Sequence, residues 1–177
     1  ADCSVEEAII VGSLNDPDRR LLPLAFLAET ARELGAARVG LVAPYLGYLR
    51  QDARFLPGEA VTSRTFGALL SRHVDWLITV DPHLHRYHAL SEVYAIPTQT
   101  LHTGPLLAAW IRTQVTNPLV IGPDIESEQW VSETARAAGA PWITLRKTRL
   151  GDRRVEITLP DVSDYRTRTP VLVDDII

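Results

Sequence analysis

Short apolar segments alternate with amphipathic segments along this chain, and that alternation limits the possible folds more than any other feature of the sequence. Apolar runs bounded by turn residues predict buried strands. These runs occupy residues 7–13, 37–43, 75–80, 96–101, 119–121, 141–145 and 169–174. The run at 96–101 is short enough to be a connector instead. Residues 153–159 alternate apolar and polar side chains, which predicts a strand at a sheet edge.

The stretches between the strands have the periodicity of amphipathic helices. They cover residues 16–34, 60–73, 103–114 and 127–138. Asp16 can cap the first helix, and Gly35 and Gly139 are stop signals. The side chains expected to face the core are Leu21, Leu24, Ala25, Ala28, Ala31, Val61, Phe66, Leu69, Leu70, Leu106, Leu107, Trp110, Trp130, Val131 and Ala135.

The repetition of strand, loop and helix predicts an α/β protein whose parallel sheets are covered by helices. Residues 44–57 have no clear period, so they predict a loop after the second strand. Two repeated units follow one another and meet near residues 96–99 without a low-complexity linker. The sequence therefore predicts two tandem parallel-sheet domains, at residues 1–97 and 98–177.

The composition excludes several classes of protein. The formal net charge of the 177 residues is −4, so the chain lacks the basic surface of a nucleic-acid-binding protein. No apolar run reaches the roughly 18 residues that a membrane span needs. The single cysteine, Cys3, excludes an internal disulfide and a multi-cysteine zinc site. We therefore expect a protein of the reducing cytoplasm, with neither nucleic acid nor membrane as partner.

Polar side chains collect where the predicted strands end, and ligands of open α/β sheets bind at that edge. Carboxylates and a histidine could hold Mg²⁺ there, and basic side chains could stabilise charge on phosphoryl oxygens. Loops are polar in most proteins, so any single residue has a simpler explanation. The residues are Asp81, His83, Asp124, Lys147, Arg149, Asp174 and Asp175.

The last predicted strand has an informative sequence, Val171-Leu172-Val173-Asp174-Asp175. A buried strand that ends in paired acids presents them to a ligand at the sheet edge. Carboxylates suit a vicinal diol, because each can accept two hydrogen bonds.

Several motifs occur together in the order and spacing of one enzyme family. They are Pro44-Tyr45-Leu46-Gly47-Tyr48-Leu49-Arg50-Gln51-Asp52, Val80-Asp81-Pro82-His83, Gly122-Pro123-Asp124, Lys147-Thr148-Arg149 and Val173-Asp174-Asp175. In these motifs the chain resembles the ribose-phosphate pyrophosphokinases, over residues 9–177. The first motif is the most specific, whereas the Asp-Asp motif alone is shared with phosphoribosyltransferases. Pro82 in place of a commoner leucine resembles the archaeal or divergent bacterial branch.

The resemblance implies a type I phosphoribosyltransferase-like fold and ribose-phosphate diphosphokinase activity. The β,γ-diphosphoryl group of Mg-ATP would pass to the 1-hydroxyl of ribose 5-phosphate, giving phosphoribosyl pyrophosphate and AMP. The resemblance also implies Mg²⁺ as cofactor and a cytoplasmic homo-oligomer built from dimers, with a hexamer among the arrangements. Trp76, Tyr87 and Tyr94 could serve the interface between subunits or, equally, the core.

The resemblance assigns residues to the ATP side of the site. Arg50 and Gln51 match the family pair that binds ATP, and a guanidinium can stack on a purine or hold a phosphate. Asp52 either belongs to the same ATP-binding segment or only orders that loop. His83 matches the histidine of the Mg-ATP site. Asp124 matches a second carboxylate linked to Mg²⁺, and its alternative role is to cap the following helix.

His85 and His88 follow His83 and have no fixed counterpart in the family. Histidines at this spacing suggest a zinc site, but the sequence has no evident fourth ligand. An exposed helical turn is therefore the favoured interpretation of His85 and His88, and only His83 is expected to bind a metal.

On the sugar side, Lys147 and Arg149 match a catalytic basic pair on a mobile flap of the family. Such a flap could close over the transferring group and exclude water. Arg149 is also expected to bind ribose 5-phosphate, together with Asp174 and Asp175. The simpler alternative for the basic pair is a solvated, charged hairpin.

The chain departs from the family pattern in two respects. The turn after Asp124 reads Ile125-Glu126-Ser127-Glu128, where the family typically has a Gly-Gly pair, so the turn is more acidic and less flexible. The family's first strands and an acidic ATP-contacting loop would precede Ala1, and its phosphate loop would follow Ile177. We therefore expect this chain to be a piece of a longer protein, with an incomplete ribose 5-phosphate site.

Two other functions agree with part of the pattern. A non-catalytic subunit that regulates an active one would suit the altered turn at 125–128, although Lys147, Arg149 and His83 favour an enzyme. A phosphoribosyltransferase would share the fold. Such enzymes lack the Arg50-Gln51-Asp52 segment, which favours the pyrophosphokinase.

Overall fold

The structure is a computed structural model that describes residues 6–151, 154–158 and 160–174, with only the backbone described at 126, 147–151 and 154–157. The chain divides into two compact units, Ala1–Leu101 and His102–Ile177. Each unit has its own parallel sheet and its own core cluster. Among the described residues, no helix has both the length and the apolar character that crossing a membrane requires.

The first unit is a four-stranded parallel sheet with helices between its strands. The predicted strands and helices of this unit are confirmed, with small shifts at their ends. The strands lie in the spatial order β1 (Glu7–Val11), β2 (Arg38–Ala43), β3 (Trp76–Val80) and β4 (Thr98–Leu101). The helices are α1 (Pro17–Glu33) and α2 (Thr62–Leu70).

Both helices of the first unit pack on the same face of the sheet. Right-handed crossovers between strands in sequential order place each connection on one side. The core cluster therefore joins one face of each helix to one face of the strands, and it includes Leu24, Ala28, Phe66, Leu70, Val39, Leu41, Ala43 and Leu77.

Some side chains of the first unit differ from the predictions. Leu69 was expected to face inward but is exposed, because the buried face of α2 is centred on Phe66 and Leu70. Tyr87 and Tyr94 are buried in the core cluster, so they do not form an exposed interface. Burial of the Tyr94 ring raises the pKa of its phenol.

The second unit has a three-stranded parallel sheet and a two-stranded antiparallel ribbon. The sheet has the order β6 (Trp142–Thr144), β5 (Pro118–Gly122) and β9 (Thr169–Leu172). The ribbon consists of β7 (Arg146–Gly151) and β8 (Arg154–Thr158). The helices are α3 (Gly104–Gln114) and α4 (Glu128–Ala138).

The inward face of α3 differs from the prediction. Leu106 and Trp110 were expected to be buried, but they are 73% and 56% exposed. Ala108 and Ile111 are buried instead, in one cluster with Val131 and Ala135 of α4. The buried face of α3 is therefore centred on Ala108 and Ile111, and Leu106 and Trp110 lie outside it.

The strand Thr98–Leu101 belongs to the first unit. It pairs in parallel with β3, where Leu77 lies opposite Thr98 and Val80 opposite Leu101. The structure therefore divides after Leu101, whereas the sequence predicts a domain boundary after Pro97.

Candidate functional site

Two loops leave neighbouring strands at the carboxyl edge of the first sheet. One loop follows β2 and contains Arg50, Gln51 and Asp52, and the other follows β3 and contains His83. Strands β2 and β3 are parallel neighbours in which Ala43 lies opposite Thr79, so the loops start side by side. Parallel α/β sheets bind ligands at this edge.

The loop at residues 44–52 is fastened to the body of the first unit by buried side chains. Leu46 and Leu49 lie in the core cluster, and Leu46 pairs with Leu14 through an isolated bridge. Tyr48 donates a hydrogen bond from its hydroxyl to Asp18 at the start of α1. That hydrogen bond raises the pKa of the Tyr48 phenol. Arg50 stays exposed on this fixed loop.

Gly47 allows the loop to lie against the first turn of α1. A Cβ at this position would be 2.7 Å from Cγ of Pro17 and 3.0 Å from the carbonyl oxygen of Leu14. Contacts this short are repulsive, so a larger residue would push the loop away from the helix. Glycine at position 47 therefore allows the loop that carries Arg50 to lie close to the start of α1.

Gln51 is fixed by the start of α2. The Thr62 hydroxyl donates a 2.5 Å hydrogen bond to Oε1 of Gln51. The backbone N–H of Ser63 donates to the carbonyl oxygen of Gln51 at 3.3 Å. These bonds orient the side-chain amide, whose nitrogen can donate to a ligand.

Asp52 is buried although it is charged. Its side chain is 1% exposed, and Oδ1 lies 2.6 Å from Nη1 of Arg86. The backbone N–H of Arg86 donates to Oδ2 at 3.2 Å. Of the two roles that the sequence left open for Asp52, these contacts favour the ordering of the loop.

The loop after β3 begins with an unusual backbone conformation. Asp81 has a φ of 38°, in the left-handed region that few residues other than glycine adopt. Its backbone N–H donates to the carbonyl oxygen of Leu101 at 3.0 Å, which holds it in place. His83 is half-buried, whereas His85 and His88 are exposed, as predicted. The predicted helical turn is wrong at this position, because residues 85–88 contain bends and the nearest 3₁₀ helix begins only at Leu90.

Asp124 follows the central strand of the second sheet, which ends at Gly122, and caps the turn that begins there. Its Oδ1 accepts a 3.2 Å hydrogen bond from the backbone N–H of Ser127, and its carbonyl oxygen accepts one of 2.6 Å from the Ser127 hydroxyl. The turn whose sequence differs from the family pattern thus forms the 3₁₀ helix Ile125–Ser127, and α4 begins at Glu128. The predicted capping role is present, and a role in metal binding stays a prediction.

Asp174 lies at the same edge as Asp124. It follows β9, the neighbour of β5, and the ladder continues with a 3.0 Å hydrogen bond from the N–H of Val173 to the carbonyl oxygen of Ile121. Val173 is buried and Asp174 is half-buried. Asp175 lies outside the described residues, so its predicted role stays a prediction.

Lys147 and Arg149 lie on β7 of the antiparallel ribbon. Lys147 pairs with Ile157 and Arg149 with Val155. The antiparallel pairing that a charged hairpin requires is therefore present. The side chains of the basic pair lie outside the described part of the chain, so their catalytic role stays a prediction.

The donors available for a cation are distributed over both units. His83 lies in the first unit, and Asp124 and Asp174 lie in the second. Within residues 6–151, 154–158 and 160–174, no cluster of three or more His, Cys, Asp or Glu side chains could hold a metal ion.

A shallow groove lies at the opposite, amino-terminal end of the first sheet, and Glu7, Arg38 and Trp76 contribute to its lining. Trp76 Nε1 donates to Glu7 Oε1 at 2.7 Å, and Arg38 Nε lies 3.6 Å from the same oxygen. The polar groups of Glu7, Arg38 and Trp76 thus contact one another. The groove lies away from the predicted ligand edge, so we do not assign it to the site.

Comparisons with known proteins support the motif-based interpretation. Residues 2–73 match the family model for the N-terminal domain of ribose phosphate pyrophosphokinase. A ribose-phosphate pyrophosphokinase of Methanopyrus kandleri is 36% identical over 172 residues, which are 96% of this chain and 58% of that protein. Its counterpart in Methanothermobacter thermautotrophicus is 34% identical over 173 residues, which are 97% of this chain and 59% of that protein.

The fold is also found in a solved structure. The crystal structure of phosphoribosylpyrophosphate synthetase from Mycobacterium smegmatis superposes with a TM-score of 0.76 at 21% identity, covering 98% of this chain and 57% of that one. The chain thus spans 57–59% of the length of these proteins. It has the type I phosphoribosyltransferase-like fold, and by its sequence it belongs to the ribose-phosphate pyrophosphokinase family.

Proposed function

We propose that this chain carries the site of a ribose-phosphate diphosphokinase. The 1-hydroxyl oxygen of ribose 5-phosphate attacks the β-phosphorus of ATP. The bond from that phosphorus to the oxygen bridging the α-phosphorus breaks, and AMP leaves with that oxygen while the hydroxyl proton is released. The products are phosphoribosyl pyrophosphate and AMP.

The loop at residues 44–52 is the observation that carries this proposal. It is fixed by buried leucines, by Tyr48 and by Gln51, yet it presents Arg50 to solvent at the carboxyl edge of the sheet. An exposed guanidinium on a rigid loop is suited to stacking on a purine or to holding a phosphate. The loop that carries His83 starts beside it, so one nucleotide could contact both loops.

The sugar is bound, in this proposal, by acids of the second unit. Asp174 and Asp175 accept hydrogen bonds from the ribose hydroxyls, and Arg149 binds the sugar phosphate. Lys147 and Arg149 stabilise the negative charge that develops on the transferring oxygens. Positioning and electrostatics supply most of the catalysis of phosphoryl transfer, so this division of tasks needs no covalent intermediate.

Mg²⁺ suits the residues present. The ion prefers oxygen ligands and keeps several waters, so it is bound by one or two carboxylates together with substrate phosphates. The carboxylates of Asp124 and Asp174 lie at one edge of the second sheet and could supply such oxygens. The family resemblance supports a separate role for His83 of the first unit in binding Mg-ATP. When bound, the ion would neutralise charge on the phosphate oxygens.

The family resemblance also leads us to propose that the protein is a homo-oligomer built from dimers.

The test is an assay of the full-length protein with Mg²⁺, ATP and ribose 5-phosphate, in which AMP is followed by chromatography. AMP that appears only with the sugar phosphate is the expected result. AMP that appears equally without the sugar would indicate ATP hydrolysis and contradict the proposal. Intact ATP binding without AMP would favour the regulatory subunit. Consumption of phosphoribosyl pyrophosphate with a nucleobase, but not with AMP, would favour a phosphoribosyltransferase.

A further inference from the structure

Arg86 holds the two loops of the proposed ATP side together. We propose that Asp52 and Arg86 form a positioning pair, which fixes the Arg50–Gln51 segment relative to the loop that carries His83. In this view Asp52 and Arg86 act on nucleotide binding through their neighbours and do not touch the nucleotide. The inference rests on the proposed function.

The ion pair has the geometry of a structural anchor. Oδ1 of Asp52 lies 2.6 Å from Nη1 of Arg86, and Oδ2 accepts the backbone N–H of Arg86 at 3.2 Å. The Asp52 side chain is 1% exposed and that of Arg86 is 44% exposed. A buried carboxylate that loses its cation is strongly destabilised. Arg86 therefore stabilises the buried position of Asp52, two residues after Arg50.

A second contact joins the same segments. The hydroxyls of Ser63 and Tyr87 lie 3.0 Å apart in a buried environment, and Tyr87 is the residue after Arg86. The N–H of Ser63 binds the carbonyl oxygen of Gln51. The start of α2 is thus bound both to the first loop and to the second. The first loop, the second loop and the start of α2 are therefore each bonded to the other two. For this reason we expect the two loops to move together.

Arg86 also contacts the segment that follows Asp52. Its Cζ lies 5.6 Å from the centroid of the Phe55 ring, within the range of a cation–π contact. The backbone N–H groups of Phe55 and Leu56 donate to Glu59 Oε2 at 2.9 and 3.0 Å, which closes this segment into a turn. A single guanidinium therefore contacts both Asp52 and the segment that follows it.

The pair should matter for ATP more than for the sugar. If loss of Arg86 leaves the correct arrangement populated one tenth of the time, the dissociation constant of ATP rises about tenfold. The acids proposed to bind ribose lie in the second unit, so the KM of ribose 5-phosphate should change much less. A merely structural defect would lower the active fraction without separating the two constants.

The test compares Arg86→Gln and Arg86→Lys with the unchanged protein and with Arg72→Gln, which removes an exposed arginine of the same unit. Titration calorimetry with Mg²⁺ and a non-hydrolysable ATP analogue gives the dissociation constant. Hydrogen exchange gives the protection of residues 45–52 and 81–88. We expect Arg86→Gln to weaken binding about tenfold and to speed exchange in both loops. Arg86→Lys should restore part of each effect, because it keeps the charge but not the planar fork.

If Arg86→Gln is poorly folded, Asp52→Asn tests the same contact from its other partner. Where all variants fold, the two changes form a double-mutant cycle. The double variant should bind the analogue no worse than the weaker single variant, since both remove the same contact. Additive losses, unchanged exchange in the loops, or faster exchange with unchanged affinity would each overturn the positioning role. An unchanged protein that binds no ATP analogue would instead show that the proposed function itself is wrong.

Discussion

The indole of Trp76 lies directly over Gly40. A Cβ at position 40 would come within 1.9 Å of Cζ2 and 2.1 Å of Cε2 of the ring. The two residues are opposite each other in the register of β2 and β3, and the indole N–H is bound to Glu7. The ring is therefore held between a hydrogen bond and the backbone of the neighbouring strand.

Gly40→Ala should consequently destabilise the protein. The ring cannot move without losing its hydrogen bond, and overpacking of this kind lowers the free energy of unfolding by about 1–3 kcal/mol. Urea unfolding would measure the change. Gly12→Ala is the matched control, since nothing lies within 4 Å of a Cβ there. If both variants had the same unfolding midpoint, the close approach of Trp76 to Gly40 would be disproved.

Asp75 links three elements of the first unit, and its substitution should have a defined pH dependence. Its Oδ2 accepts hydrogen bonds of 2.6 Å from the N–H of Val39 and 2.9 Å from Nη2 of Arg32. Burial alone would raise the pKa of Asp75, but the bond from Val39, followed by the contact with Arg32, outweighs burial and lowers the pKa. The ionised carboxylate therefore stabilises the fold.

Because the pKa is lower in the folded state, this stabilisation is present above the ordinary carboxyl range and is lost as the pH falls through the lowered value. At pH near 7, Asp75→Asn should lower the free energy of unfolding by about 1 kcal/mol, since the half-exposed pair is screened by solvent. The deficit should shrink in acid. Urea unfolding at several pH values checks this, with the exposed Asp164→Asn as control. A deficit that stays constant down to acid pH would exclude the charge as its cause.

Gly122 should resist substitution because of the turn that carries Asp124. A Cβ at position 122 would lie 2.4 Å from Oγ of Ser127 and 3.0 Å from Cγ2 of Thr144. That hydroxyl is itself bound to the carbonyl oxygen of Asp124. Gly122→Ala should lower the free energy of unfolding by about 1–3 kcal/mol.

The Ser127→Ala variant gives the control for Gly122. It removes the obstructing hydroxyl, so the double variant should lose less stability than the sum of the two single changes. Thermal unfolding of the single and double variants measures this coupling. Strict additivity would mean that Ser127 does not restrict position 122.

Lys147→Ala tests the proposed chemistry. If Lys147 stabilises charge on the transferring group, its loss should lower kcat by about 10²–10³-fold with a much smaller change in ATP affinity. Steady-state kinetics of the full-length protein, with ATP affinity measured separately, separates the two effects. Arg146→Ala is the matched control, because it removes a neighbouring charge on the same strand. An unchanged kcat would remove Lys147 from the mechanism.

The elements of the fold were predictable because their signals are local. Runs such as residues 37–43 and 75–80 are apolar in sequence, and β2 and β3 form there within a residue or two. The left-handed Gly139, with a φ of 70°, ends α4 where a stop signal was expected. Local patterns of this kind depend on the backbone periodicity alone.

The errors arose where distant residues decide the outcome. The inward face of α3 depends on its packing in one cluster with α4, where Ala108 and Ile111 are buried, so the prediction that Leu106 and Trp110 face the core was wrong. For Asp52 the sequence left two roles open, and the contact that favours the ordering role is made by Arg86, which is 34 residues away and lies in no motif of the family resemblance. A charged residue inside a polar loop gives no sign in the sequence that it is buried.

The order of the strands has a consequence for how the chain acquires its structure during synthesis. In the first unit each strand pairs with the strand made immediately before it, from β1 to β4, so pairing can advance as the chain emerges. The second sheet is different, because Leu119 of β5 pairs with Pro170 of β9 and α4, β6, β7 and β8 lie between them. Closing such a long loop delays non-local pairing. We therefore expect the strands of the first sheet to pair during synthesis, whereas β5 can pair with β9 only after the segments between them have been made.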